Sequence, residues 1–160
     1  MSPLGPPQPT EYGGTLRLRT GAASEARVEA LEAQIGARLP DDYRQFLLRY
    51  NGGKPLPSGF RLAQRTGPYT DSLVHSLDSL YDDDICNLES TVRWQRVPPG
   101  VITIGCDPGG NGICLVVAGE RRGQIWFWDH EREPDEPDWS NMDLVATSFE
   151  AFMKGLTPVD

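Results

Sequence analysis

Residues 105–112, GCDPGGNG, have part of the spacing of a phosphate-binding loop. Gly105 and Gly110 match the two glycines that let the backbone of such a loop approach a phosphate group. Asn111 and Gly112 then stand where the loop requires a Lys followed by Ser or Thr. Because the cation is missing, the motif does not predict nucleotide binding.

The same loop also has part of the spacing of a calcium site. Asp107, Asn111 and Gly112 fall at the first, fifth and sixth positions of that motif. Gly109 and Ala118 occupy the third and twelfth positions, where oxygen ligands are needed. Since Gly and Asn tolerate positive φ, the simpler prediction is a tight antiparallel turn between two strands.

His130 stands between Asp129 and Glu131 and could ligate a metal ion or transfer a proton. The only other histidine is His75, and zinc sites need three or four protein ligands in a defined geometry. No serine lies in a G-x-S-x-G nucleophile pattern. We therefore predict no catalytic residues, no metal site and no cofactor, and we do not expect an enzyme.

The charge balance favours a basic partner. The formal net charge is −8, and the arginines are scattered rather than arranged in a basic stripe, so nucleic acid is not an expected partner. No apolar run is long enough for a membrane span, and the Pro-rich start lacks a signal-peptide pattern. Three cysteines without paired spacing suit a reducing compartment, which predicts a cytoplasmic protein.

Acidic residues concentrate in two segments, and two interpretations of them remain open. Acidic clusters commonly form solvated loops that keep a protein soluble. Alternatively, they create a field that attracts a basic protein and speeds its capture. The first segment contains Asp82, Asp83 and Asp84, and the second contains Asp129, Glu131, Glu133, Asp135, Glu136 and Asp138.

Helical spacing of apolar residues predicts helices at residues 24–35, 41–50, 82–95 and 148–156. In residues 124–129, Ile125 and Phe127 would face one side of a strand while Trp126 and Trp128 face the other. The two indoles would either pack beneath a helix or, if exposed, anchor a partner. The other predicted strands are residues 15–19, 59–62, 74–77, 101–104 and 113–117.

These elements predict a single α+β domain. An antiparallel sheet of about five or six strands would pack against the N-terminal helices and the C-terminal helix. We predict a flexible Pro-rich leader over residues 1–20, ending in an edge strand, and the folded domain over residues 21–157.

Four blocks of this chain, in order, resemble the SUKH superfamily and together cover roughly residues 24–156. The superfamily includes the yeast Smi/Knr cell-wall regulators and many bacterial immunity proteins that neutralise a paired toxin. The blocks are ALEAQIGARLPDDYRQFLLRYNGGK (30–54), VITIGCDPGGNGICLVV (101–117), GQIWFWDHE (123–131) and ATSFEAFMKGL (146–156).

This resemblance implies an immunity protein that binds a cognate toxin stoichiometrically, and the acidic charge predicts a basic toxin such as a nuclease. The alternative is an intracellular regulatory or scaffold module that binds a cellular protein or a small ligand. The short flanks of the domain favour the first hypothesis. The predicted partner-binding residues are Trp126, Trp128, Asp129, His130, Glu131 and Glu133, with Asp82, Asp83 and Asp84 as a secondary contact.

Overall fold

The computed structural model describes residues 3–159 of the chain and has the predicted α+β architecture. Met1 and Ser2, at the start of the predicted leader, and Asp160 lie outside the described residues. The helices of the described part are α1 (Glu25–Ile35), α2 (Asp41–Arg49), α3 (Leu88–Thr91) and α4 (Phe149–Lys154).

Antiparallel strands form three sheets in the described residues. The large sheet has the strand order β10-β9-β8-β7-β6, which confirms the predicted antiparallel sheet, and the smaller sheets are β1-β2-β3 and β4-β5. The strands are β1 (Pro7–Pro9), β2 (Thr15–Arg17), β3 (Lys54–Leu56), β4 (Gly59–Arg61), β5 (Asp71–Leu73), β6 (Ser76–Leu77), β7 (Val101–Cys106), β8 (Gly112–Val116), β9 (Ile125–Trp128) and β10 (Met142–Ala146).

Serine side chains fix where two of the helices begin. The Ser24 hydroxyl accepts a hydrogen bond from the backbone N–H of Arg27 at 3.2 Å, which caps α1. Ser148 caps α4 in the same way, through the N–H of Ala151 at 3.0 Å. Gly36 ends α1 in the left-handed conformation, where a residue without Cβ avoids strain.

The main hydrophobic core lies between the helices and one face of the large sheet. Ile125 and Phe127 of β9 are fully buried in it, as their alternation predicts. Phe149 of α4 packs against Phe46 and Tyr43 of α2, with ring centroids 4.8 and 5.0 Å apart. Each fully buried aromatic or large aliphatic side chain contributes about 2 kcal/mol to folding, so these contacts hold α2 and α4 together beside the sheet.

The opposite face of the large sheet carries a smaller apolar cluster. Trp128 is buried there with Val116 and Met142, and Trp126 packs at its margin. Both indoles therefore lie on the face opposite Ile125 and Phe127, which confirms the predicted alternation along β9. The segment that includes α3 lies across part of this second face.

The β7–β8 hairpin closes through the loop that has partial ligand-binding motifs. The Asp107 carboxylate accepts hydrogen bonds from the backbone N–H of Gly109 at 3.0 Å and from that of Asn111 at 2.8 Å. It also accepts one from the Asn111 side chain at 2.9 Å and one from the Ser72 hydroxyl at 2.8 Å. The acidic residue of the motif is thus fully engaged in stabilising the turn, as the structural interpretation predicts.

The turn after α2 joins three parts of the molecule. Asn51 has φ of 63°, and its side-chain amide donates to the carbonyls of Gly21 and Leu80 at 3.0 and 2.8 Å. Its side-chain oxygen accepts from the N–H of Leu80 at 2.8 Å. Gly53 exchanges backbone hydrogen bonds with Leu77 of β6 at 3.0 and 2.9 Å. The end of α2 is therefore tied directly to the edge of the large sheet.

The prediction of a helix over residues 82–95 is wrong, because only α3 is helical there. Cys86 has φ of 57°, which breaks a right-handed helix, and the Asn87 side chain caps α3 by accepting from the N–H of Ser90 at 3.1 Å. Ile85, expected on the apolar face, is 53% exposed. The apolar spacing was present, but the backbone needs a turn at Cys86 to carry the chain across the sheet.

Several strand predictions also need correction. β1 lies within the predicted flexible leader and pairs with β2, so β2 is the middle strand of its sheet rather than an edge. Residues 74–77 do not form one strand, because only Ser76–Leu77 belongs to β6. β10 was not predicted, since it contains Asp143, whose buried carboxylate is held by Thr66 at 2.8 Å and Arg132 at 3.2 Å.

We expect Asn51→Ala to destabilise the fold by about 3 kcal/mol, because it leaves buried backbone groups unpaired and forces Ala into a left-handed conformation. Gln45→Ala, on the exposed face of α2, serves as the control and should change stability by less than about 0.5 kcal/mol. Urea unfolding followed by far-ultraviolet circular dichroism measures both. Equal free energies of unfolding for the two variants would show that the Asn51 hydrogen bonds do not stabilise the fold as expected.

Candidate partner-binding cleft

A cleft of about 340 Å³ opens on the second face of the large sheet, beneath the segment of residues 84–97 that contains α3. We call it the α3 cleft. Strands β7 to β9 supply one wall and the α3 segment supplies the other. Its charged and aromatic lining residues are Asp78, Asp84, Trp94, Arg96 and Trp128.

Small residues on the strands leave the floor of the α3 cleft open. Gly112 of β8 has no side chain there, and a Cβ at this position would lie 3.4 Å from the Trp128 Cβ and 3.5 Å from the Thr103 Cγ2. These are ordinary van der Waals separations, so an added methyl group would fill space rather than clash with the backbone. Glycine at position 112 therefore leaves space in the lining that a methyl group would occupy.

Asp78 is a buried carboxylate in the wall of the α3 cleft, with only 6% of the residue exposed. It forms no ion pair within residues 3–159. Burial raises the pKa of Asp78 from 3.8 to about 6, while a hydrogen bond from the Thr91 side chain and the charge of Arg19 oppose that rise. The Arg19 guanidinium itself donates to the Leu77 carbonyl at 2.6 Å, so it does not neutralise Asp78 directly.

Trp94 and Arg96 stand at the mouth of the α3 cleft. Trp94 is 57% exposed, which is unusual for so large an aromatic side chain. The Arg96 guanidinium carbon lies 5.9 Å from the centroid of the Trp94 ring, within cation–π range. Arg96 also forms a loose ion pair with Glu133, at 3.8 Å, across the mouth. The protein's own guanidinium group is thus held between an indole and a carboxylate at the entrance.

The two tryptophans proposed as anchors have different surroundings. Trp128 is only 6% exposed and lines the α3 cleft, and its buried Nε1 has no hydrogen-bond partner in the described part of the chain. Trp126 packs against Trp139 at a centroid distance of 4.8 Å, with Arg121 over both rings. They share a face of β9, but only Trp128 belongs to the cleft.

The acidic residues that follow β9 differ in their burial and contacts. Asp129 is buried, and its carboxylate accepts from the N–H of Glu131 at 3.0 Å and from the Arg132 side chain at 2.8 Å. It holds the short 3₁₀ turn His130–Arg132 rather than presenting a free charge. Glu131 is exposed, and Glu133 reaches the cleft mouth through its pair with Arg96.

His130 is fixed beside the rim of the α3 cleft. Its Nδ1 lies 2.7 Å from the side-chain oxygen of Asn111, which also accepts from the His130 backbone N–H at 3.1 Å. A Cβ on Gly110, a cleft-lining residue, would lie 3.8 Å from the imidazole ring. The hairpin turn therefore places an exposed histidine next to the cleft without making it a metal ligand.

The acidic run at residues 82–84 divides between two surfaces. Asp84 lines the α3 cleft and forms no ion pair within the described chain. Asp82 instead approaches the Arg27 guanidinium at 3.3 Å, on the side where α1 begins. The Asp83 carboxylate accepts from the N–H of Ile85 at 3.2 Å. Of this run, the structure brings only Asp84 together with Trp128 and Glu133.

Residues 3–159 contain no group of three or more His, Cys, Asp or Glu side chains that could hold a metal ion. The three cysteines are free thiols. Burial raises the pKa of Cys106, which lines the α3 cleft, to about 11, and it raises that of Cys114 to about 12. Both thiols are therefore protonated at neutral pH, which makes them poor nucleophiles.

Residues 22–155 match the model of the SMI1 / KNR4 family (SUKH-1). The chain belongs to the SUKH-1 family. This SUKH-1 domain is also similar to the SPbeta prophage-derived uncharacterized protein YokK of Bacillus subtilis (strain 168), with 29% identity over 147 residues that cover 81% of this chain and 72% of the relative.

Within the described part of the SUKH-1 chain, no helix is both long and apolar enough to cross a bilayer. The longest helix, α1, has 11 residues, whereas a membrane-spanning helix needs about 20.

Sequence reasoning missed Asp78 and Trp94 of this SUKH-1 domain. Trp94 stands in the polar stretch Arg93-Trp94-Gln95-Arg96, and that lack of apolar neighbours was a usable signal of exposure. Asp78 gives no such signal, because it is buried by the α3 segment, which follows it in the sequence and packs over it in the fold. A buried carboxylate without an ion pair becomes visible only in the tertiary structure.

We expect Asp78→Asn to stabilise the SUKH-1 domain at about pH 8 and to have little effect at about pH 4. The folded-state pKa lies above the unfolded one, so the contribution of Asp78 to stability is fully present below pH 3.8 and is lost as pH rises through about 6. The rise in pKa corresponds to about 3 kcal/mol as an upper limit.

Denaturant unfolding at both pH values tests this, with Glu29→Gln on the exposed side of α1 as the matched carboxylate-to-amide control. The control should be nearly neutral at either pH. A loss of stability in Asp78→Asn at the higher pH would contradict the assignment of an unfavourable buried charge.

Proposed function

We propose that this SUKH-1 protein is an immunity protein that binds a cognate toxin in the cytoplasm and neutralises it by a stoichiometric protein–protein interaction. The observation that carries the proposal is the α3 cleft. It combines an exposed aromatic residue, Trp94, with the carboxylates of Asp78 and Asp84, which is the composition of an interface with a basic protein.

The charge of the whole chain supports the same partner chemistry. A net charge of −8 attracts a basic toxin over long range, and association guided by charge is faster at low ionic strength. Toxins that act on nucleic acid need a basic surface to hold phosphates. An acidic inhibitor that covers this surface would prevent substrate binding without any chemistry of its own.

The comparisons are compatible with this proposal. Family membership implies, by resemblance, a role as an immunity protein or as a regulator. The Bacillus subtilis relative is described as prophage-derived and uncharacterized.

Affinity capture of the tagged protein from a lysate of its source organism tests the proposal. The expected result is a stoichiometric partner with a basic toxin domain, whose toxicity in living cells is suppressed by co-expression of this chain. Capture of envelope-synthesis or other housekeeping proteins, without a toxin domain among them, would support the regulatory-module alternative instead.

Removing the charge of Asp84 in the cleft together with that of the exposed Glu131 after β9 should slow association with the captured toxin by about tenfold at low salt, and by less at physiological salt. The variant is Asp84→Asn with Glu131→Gln. The control, Glu29→Gln with Glu120→Gln, removes the same charge from exposed positions elsewhere. Stopped-flow measurement of the association rate separates the two, and identical rates would place the interface on another surface.

A further inference from the structure

The α3 cleft is small enough to be filled by a single side chain of a partner protein. Ligand sites for drug-sized molecules and cofactors extend from about 300 to 1,000 Å³, and the cleft, at about 340 Å³, lies at the lower end. It is also open on one side, toward Trp94 and Arg96. A group carried on a flexible stem could therefore enter it from a bound protein.

We propose that the α3 cleft binds the guanidinium group of an arginine side chain of the partner protein, with Asp78 and Asp84 as its carboxylate ligands and Trp94 as its stacking surface. This inference rests on the proposed function, since it names the chemical group of the toxin that the cleft recognises.

The charges of the lining favour a cation. Neither Asp78 nor Asp84 forms an ion pair within residues 3–159, although the charge of Arg19 acts on Asp78 and Arg96 lines the same cleft. Burying the Asp78 carboxylate without an ion pair costs stability, and a cation bound beside it would reduce that cost, while the exposed Asp84 would attract the cation to the cleft. An anionic ligand would instead lie beside the buried Asp78 carboxylate and be repelled by it.

The mouth of the cleft already accommodates a guanidinium group. Arg96 lies over Trp94 at 5.9 Å and pairs with Glu133 at only 3.8 Å, so its contacts are loose. A planar guanidinium stacks on an indole face and donates to a carboxylate at the same time, whereas the compact ammonium of lysine does not match both groups. The combination of an indole and carboxylates in the lining therefore favours arginine over lysine.

Binding should depend on pH, because Asp78 must be ionised to receive the cation. The affinity for a guanidinium ligand should fall as pH is lowered from about 7.5 to about 5, since burial raises the pKa of Asp78 to about 6. The other titratable or charged groups that face Asp78 or line the same wall are Arg19, Tyr43, Tyr81, Asp84, Cys86, Arg96 and Cys106.

The test is a titration of the intact protein with N-acetyl-arginine methylamide. Its neutral isostere, the citrulline analogue, and the corresponding lysine compound are the matched ligands. The indole N–H signals of Trp94 and Trp128 in proton–nitrogen NMR spectra report occupancy directly. We expect saturable binding of the arginine compound with a dissociation constant on the order of 1 mM, and binding of the citrulline analogue at least about tenfold weaker.

Two variants link the signal to the proposed ligands. Asp78→Asn should weaken arginine binding by about tenfold and abolish its pH dependence, although the protein itself becomes more stable above pH 6. Trp94→Ala should weaken binding by about fivefold. Leu56→Ala, an equally exposed apolar residue outside the cleft, should leave it unchanged.

Several results would overturn the proposal. Equal binding of arginine and citrulline compounds would exclude charge recognition, and tighter binding of the lysine compound would exclude stacking of a guanidinium. Tighter binding of free methylguanidine than of the capped arginine would assign the cleft to a small metabolite. No binding of arginine, combined with successful toxin capture, would refute this inference while the proposed function stands.

Discussion

The turn Asn51-Gly52-Gly53 is the constraint on which the arrangement of this domain depends. Its hydrogen bonds connect the end of α2 to the segment before α1 and to the chain that runs from β6 toward α3. The approach is so close that a Cβ on Gly52, where φ is 80°, would lie 2.4 Å from the Asp78 carbonyl oxygen. Any larger side chain would push the helical layer away from the sheet.

The same turn determines the position of the cleft. Asp78 follows β6 directly, so the contact between Gly52 and the Asp78 backbone places this residue at the border of the main core and the second face of the sheet. Its side chain then lies beneath α3, where water is largely excluded. The backbone of Asp78 thus makes the close contact with Gly52, while its side chain is the buried carboxylate of the cleft.

The two faces of the large sheet serve different purposes. One face is filled by the aromatic cluster of α2 and α4, and its stability comes from burial of large side chains. The other is covered only by the short α3 and its flanking loops, and glycine in β8 leaves space there. A protein that retains an unfavourable charge in such a space gives up stability, which is a common cost of a binding site.

The hairpin loop shows why a motif needs a structural context. Its Gly and Asp spacing is partly that of a phosphate-binding or calcium-binding loop. The Asp107 carboxylate, however, accepts hydrogen bonds from backbone N–H groups of the turn and from the Ser72 hydroxyl. Asn111 then uses its remaining oxygen to hold His130. The loop contributes to the cleft indirectly, by placing the histidine and the end of β9 at the rim.

Local sequence determined the elements whose signals are local. Serine caps, the Pro40 and Gly-Gly boundaries of α2, the β7–β8 hairpin and the alternation along β9 all follow from neighbouring residues, because capping, turn geometry and side-chain alternation act over a few positions. The α+β class and the family resemblance followed from the order of these elements.

Tertiary structure decided the rest, because long-range contacts set it. The helical spacing at residues 82–95 gave way to a turn at Cys86. Strand β10 buries Asp143, whose carboxylate accepts a hydrogen bond from the Thr66 hydroxyl and pairs with Arg132. The cleft brings Asp78, Asp84 and Trp94, from the chain between β6 and β7, together with Trp128 of β9. No sequence spacing encodes that meeting, since it depends on how α3 crosses the sheet.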